Sequence, residues 1–150
     1  MAQSLNQFSQ SVQLGMLDLQ SRAGTILSAQ ISTGGATAVA GQALKLDTSS
    51  LGGVPKLVPT SANTDATFGF AIFTLKDQSF AADSHLEVAC TGAVMYLNSG
   101  AAITRGAAVE MVAATAGNVI TSGGTNPIVG KALDGASAAN QLIRVLIETI

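Results

Sequence analysis

The residues of this chain that could do chemistry are few, and their spacing argues against it. His85 is the only histidine, so a nucleophile elsewhere would have a single base to turn to. The internal repeat described below aligns it with Leu142, a strand-edge or semi-buried position rather than that of a general base. His85-Leu86-Glu87 has the spacing of the deaminase zinc motif, but the Pro-Cys-x-x-Cys half that supplies the other ligands has no counterpart, because Cys90 is the only cysteine. That count also excludes an internal disulfide and a cysteine-based zinc site. Gly124 to Ala132 approaches a phosphate-binding loop, yet five residues separate Gly124 from Gly130 where four are needed, and Ala132 stands where the metal-binding hydroxyl belongs. It reads as a turn followed by a strand. The carboxylates form no dense Asp/Asn/Gly loop, and Asp47, Asp65, Asp77, Asp83 and Asp134 are turn-formers by neighbourhood. The expectation is a chain with no catalytic residues, no metal and no cofactor, and not an enzyme.

The elements that would have to position a site are arranged as a repeat. Ala81 to Val88 matches Ala138 to Val145 without a gap, and Gly35 to Leu46 matches Gly100 to Met111. Between these anchors, Leu57-Val58-Pro59-Thr60-Ser61 followed by Gly69-Phe70-Ala71-Ile72 is echoed by Val119-Ile120-Thr121-Ser122 followed by Gly130-Lys131-Ala132-Leu133. Three anchors in one order describe a duplicated unit over about residues 30–90 and 95–147. Two long copies suit one closed domain rather than a solenoid. Short β-prone runs separated by Gly34-Gly35, Gly52-Gly53, Asn98-Ser99-Gly100 and Gly123-Gly124 predict strands over about 42–47, 56–59, 68–75, 85–97, 107–113, 118–121, 128–133 and 141–149. The fold class is therefore all-β, a mainly antiparallel sandwich or small barrel from two similar halves.

Leu86 to Leu97 is the seam between the halves, with Leu86, Val88 and Cys90 as its core face and Gly92 as its bend. Glu87 aligns with Arg144, so opposite charges could pair across the axis relating the halves. In the last strand Leu142, Leu146 and Ile150 share the face of Arg144 and Glu148, which implies burial on both sides, with a neighbouring subunit as a candidate cover. Residues 1–29 lie outside the repeat and form an N-terminal arm, leaving 30–150 as a single β domain. In the arm Leu5, Phe8 and Val12 fit a helical stripe while Val12, Leu14 and Met16 alternate like a strand; the arm is extended or partly helical.

Only 11% of the 150 residues are charged while 47% are hydrophobic, much of it Ala, and there is no Trp. Such a chain has surplus apolar surface to bury, which points to an oligomer or larger assembly. The seven basic residues are scattered and the net charge is −2, so neither nucleic acid nor a membrane is an expected partner. The interrupted apolar pattern of the N-terminus indicates neither a signal peptide nor a membrane span, but a chain made and used in a cytosol or released by lysis.

Leu46-Asp47-Thr48-Ser49-Ser50 followed by Lys56-Leu57-Val58 is similar to a segment of the lambda-type head decoration protein. Val88-x-x-x-Gly92-Ala93-Val94, Gly106-x-x-Val109, Gly117-Asn118-Val119, Val129-Gly130-Lys131-Ala132-Leu133 and Arg144-Val145 resemble small phage proteins encoded near capsid genes. The chain thus resembles the head decoration, or capsid cement, proteins of tailed bacteriophages over most of its length. It departs from them in being longer than a minimal lambda-type protein and in its duplication. The resemblance implies a structural virion protein on the outer capsid surface, commonly a trimer, with the major capsid protein and itself as partners. It also implies an arm that tethers to the shell, for which Leu5, Phe8, Val12, Leu14, Met16 and Leu17 are the candidate anchors. A head fibre base, a tail component and a carbohydrate-binding β module remain alternatives, though the last would be expected to show more exposed aromatics.

Overall fold

The structure, a computed structural model, describes residues 13–18, 24–49, 52–74 and 77–149. Among these residues there is no helix, and the strands are β1 (Ile26–Ile31), β2 (Ala38–Val39), β3 (Ala43–Leu46), β4 (Lys56–Pro59), β5 (Gly69–Ala71), β6 (Ser79–Phe80), β7 (His85–Ala89), β8 (Val94–Ser99), β9 (Ala108–Met111), β10 (Asn118–Thr121), β11 (Ile128–Ala132) and β12 (Leu142–Ile147). Two five-stranded barrels result. The first closes in the order β1-β4-β3-β5-β7 and the second in the order β8-β10-β9-β11-β12, while β2 and β6 form a small separate ribbon. All neighbours within the barrels are antiparallel except β1 with β4 and β8 with β10. A ring of five strands cannot alternate direction all the way round, so one parallel pair is the minimum.

The two barrels have the same connectivity and the same register. Leu46 opposite Leu57 corresponds to Met111 opposite Val119. Ala43 opposite Phe70 corresponds to Ala108 opposite Lys131, and Ala71 opposite Val88 to Ala132 opposite Val145. These are the pairings expected if the sequence anchors align residue for residue. Gly69 and Gly130 occupy equivalent places for a common reason. A Cβ on Gly69 would lie 2.6 Å from the carbonyl oxygen of Ala89, and one on Gly130 would overlap that of Leu146. The neighbouring strand crosses too closely for any side chain.

The barrel interiors conserve volume by trading it between positions. Ala29 and Ile31 of β1 stand where β8 has Leu97 and Ser99, all buried. Ser99 is satisfied by donating from Oγ to the Ala138 carbonyl at 2.8 Å and accepting from the Gln141 amide. Leu86, Val88 and Cys90 pack inside the first barrel with Leu44, Leu57 and Ala71. A second cluster fills the other barrel and runs into the interface: Phe70, Ile72, Ala43 and Ala89 of the first barrel join Met95, Ala93 and Ile147 of the second.

Three expectations change. The seam is not one strand from 85 to 97: β7 ends at Ala89, a turn follows in which Ala93 donates to the Cys90 carbonyl, and β8 opens the second barrel. Gly92 takes φ 89° there, and Gly24 packs on it without room for a Cβ. Each half therefore closes on itself instead of contributing to one shared barrel. Glu87 does not meet Arg144, which pairs with Asp134 and Asp18. Finally, β1 lies partly inside the segment expected as arm, although Leu27-Ser28-Ala29-Gln30-Ile31 alternates as a strand does and pairs with β7.

Candidate interaction surfaces

His85 stands exposed on the outer face of β7, beside Ser28, Asp77 and Glu87 in an open hollow of about 410 Å³. Cys90 is buried, and burial pushes its thiol pKa up, away from a reactive thiolate. Among the described residues no three His, Cys, Asp or Glu side chains gather in a group that could hold a metal ion. The aspartates hold turns. Asp47 accepts from the Ser32 hydroxyl and from Ser49, which keeps its carboxyl at about 2. Asp65 accepts from the backbone of Ser61 and from Lys45 Nζ at 2.9 Å, and is likewise held at about 2. Asp134 is held at about 2 by Arg144, which donates to it from Nε, Nη2 and its backbone nitrogen. Asp83 takes φ 64° at a turn and accepts from Thr33. The stretch from Gly124 to Ala132 is a loop followed by β11, with Lys131 exposed.

The arm is described from Gln13 to Asp18, and there it is built into the fold. Gly15 donates to the Tyr96 carbonyl, Tyr96 donates to the Met16 carbonyl, and Asp18 donates to the Val94 carbonyl, each at 2.8 Å. Leu17 bridges antiparallel to Met95. The segment thus adds a short strand to the edge of β8 that β10 leaves open. Leu14 packs against Gly41 and Gly117, and Asp18 receives Arg144 Nη1 at 3.4 Å. The equivalent edge of β1, at Ile26 to Ser28, has no strand partner among the described residues, and Leu27 is 38% exposed where Met95 is 0%. Leu5, Phe8 and Val12 lie outside the described residues. Leu14, Met16 and Leu17 lie on the chain's own barrels.

Where the barrels meet, a loop of the first touches the end of β9 in the second. Thr67 Oγ1 donates to Met111 Sδ at 3.4 Å, and the Ala113 amide donates to Asn63 Oδ1 at 2.8 Å. Met111 and Thr67 are 2% and 5% exposed. The matching end of β3 is bare: Leu46 is 50% exposed beside an apolar hollow of about 470 Å³ formed with Lys45, Thr48, Ala66, Thr67 and Phe68. Sequence reasoning did not single out this surface. The only signal available was the repeat itself, which puts Leu46 opposite Met111. Val54, Ile128 and Leu142 are also exposed, so the face of β12 that carries Leu142 is open at that residue within a single chain.

Two comparisons bear on this architecture. A family model described as phage cement protein matches residues 35–147, which spans most of both barrels. Among solved structures, the N base of head fiber gp8.5 in bacteriophage phi29 is similar in fold, with a TM-score of 0.55 at 14% identity, covering 84% of this chain and 98% of that one. No curated protein matches the chain.

Proposed function

Because the chain belongs to the phage cement protein family and is a capsid-associated structural protein, we propose that it binds the outer surface of the assembled shell as a homotrimer and stabilises it. The observation that carries this reading is the extent of the family match, from residue 35 to residue 147, which takes in nearly all of the double barrel. A ligand that binds the assembled lattice and not its free subunits stabilises the assembled state by mass action, and needs no chemistry of its own. The low charge and surplus apolar surface suit a permanent interface of this kind.

The tether we assign to the leading part of the arm, with Leu5, Phe8 and Val12 as anchors that order on the capsid subunit as an added strand. Leu14, Met16 and Leu17 are already engaged with β8 and its surroundings, so the informative truncation removes residues 2–12 and spares 13–18. Co-sedimentation with assembled capsids is expected to show the full chain bound to shells and not to free capsid subunits, with decorated shells surviving to higher temperature. The truncated chain is expected to lose at least tenfold in affinity. Equal binding to free subunits would sink the cementing role; unchanged binding after truncation would sink the role of the arm.

The fold likeness to a head fiber base favours a second reading, in which the double barrel seats a longer appendage on the same shell. Electron microscopy of decorated particles separates the two, since a cement leaves a compact knob and a base carries a projecting fibre.

A further inference from the structure

The contact between the two barrels joins unlike surfaces, a loop of one and a strand end of the other, and each barrel leaves the other of its two surfaces exposed. The first barrel presents its loop, through Asn63 and Thr67, to the end of β9 in the second, at Met111 and Ala113. The end of its own β3, at Leu46, is bare. The second barrel has the complementary remainder: its β9 end is covered, while the loop equivalent to 61–67, which runs from Gly123 to Ile128, bonds among the described residues within its own barrel and leaves Ile128 exposed. By the register of the repeat, Ile128 takes the place of Thr67 and Leu46 that of Met111. Leu46 and Ile128, each 50% exposed, are the two most exposed large hydrophobic residues described.

Both loops are held ready in the same way. Lys45 of β3 pins the first by bonding Asp65 and Ser61. Glu110, its equivalent on β9 and 4% exposed, pins the second by accepting from the Gly123 amide and from Asn126 Nδ2. A loop ordered before it docks loses less entropy on docking.

We infer that copies of this chain associate head to tail by repeating the contact that already joins the two barrels: the 123–128 loop of one copy, led by Ile128, seats in the hollow at Leu46 and Phe68 on the first barrel of the next. The occupant of the hollow is a second copy because the surface equivalent to it, at Met111, is already filled by a loop whose counterpart in the repeat is the 123–128 loop. Unlike surfaces in contact make a heterologous interface, which closes into a ring when the rotation permits. The inference rests on the reading of the protein as a homotrimer and supplies its contact.

The test uses two full-length variants, Leu46→Asp and Ile128→Asp, in analytical ultracentrifugation at concentrations where the parent chain oligomerises. Each alone is expected to sediment as a monomer that still unfolds in a cooperative thermal melt, since both positions are exposed. An equimolar mixture is expected to form dimers and nothing larger, because only one productive pair of ends remains. A second pair, Leu46→Cys and Ile128→Cys in separate chains, is mixed in concentrated solution and on decorated capsids. Disulfide dimers are expected from the mixture and not from either variant alone. Variants that still oligomerise like the parent, or a mixture with no cross-linked dimer in solution or on capsids, would overturn the inference while leaving a trimer built through other surfaces standing. Failure of the chains to bind capsids would count separately, against the cementing role.

Discussion

Asp134 lies between two strands of the second barrel, and its bonds from Arg144 make it a gauge of acid stability. Its folded value of about 2 is below the ordinary unfolded value of about 3.9. A carboxylate depressed in this way contributes stability that is present above pH about 4 and is lost as pH falls toward its folded value. The Asp134→Asn variant is expected to be less stable at neutral pH and to show a shallower loss of stability between pH 4 and pH 2, measured by urea denaturation across that range. The position was legible in part, since Asp134 reads as a turn residue from its neighbours. Its partner was not, because Arg144 is brought to it by the pairing of β11 with β12 and not by any local spacing. The alignment of Glu87 with Arg144 misled for the same reason: equivalent positions on two barrels need not be adjacent in space.

At the scale of elements, the arm shows how a strand can be half committed by sequence. Val12, Leu14 and Met16 alternate, but the decision between helix and strand is made by the open edge of β8, where the Val94 and Tyr96 carbonyls and the Tyr96 amide need partners. Gly15 permits the contact. It takes φ 79°, and a Cβ there would lie 2.5 Å from the Gly41 nitrogen. The Gly15→Ala variant is expected to cost about 2–4 kcal/mol through backbone strain and overpacking, read as a lowered denaturation midpoint. An unchanged midpoint would mean that the segment contributes nothing to the stability of the barrel. Most strands were legible from turn spacing, whereas β1, β2 and β6 were not. The latter two are only two residues long, and β1, though Leu27, Ala29 and Ile31 alternate with polar residues, straddles the boundary expected between arm and domain at residue 29.

For the whole molecule, the cluster shared by both barrels makes their stabilities inseparable. Phe70 points out of the first barrel and is 1% exposed because the second covers it, whereas Lys131, its equivalent, faces solvent. Phe70→Ala is expected to cost about 3–5 kcal/mol and to shift a single unfolding transition. Calorimetry checks this through agreement between calorimetric and van't Hoff enthalpies. Two separate transitions would show that each barrel folds alone. The same asymmetry explains why similar halves differ in surface at this position, apolar where it is covered and charged where it is not.

By itself the sequence determined the β class, the duplication and its register, because turn chemistry and apolar alternation are local and survive copying. It also carried enough short motifs to place the chain among phage cement proteins. The tertiary structure alone decided that each half closes its own barrel, that residues 13–18 complete an edge of β8, and that Leu46 and Ile128 stay exposed. Those outcomes depend on which strand edges and barrel ends meet across long stretches of chain, and no local pattern records which surface will find a partner.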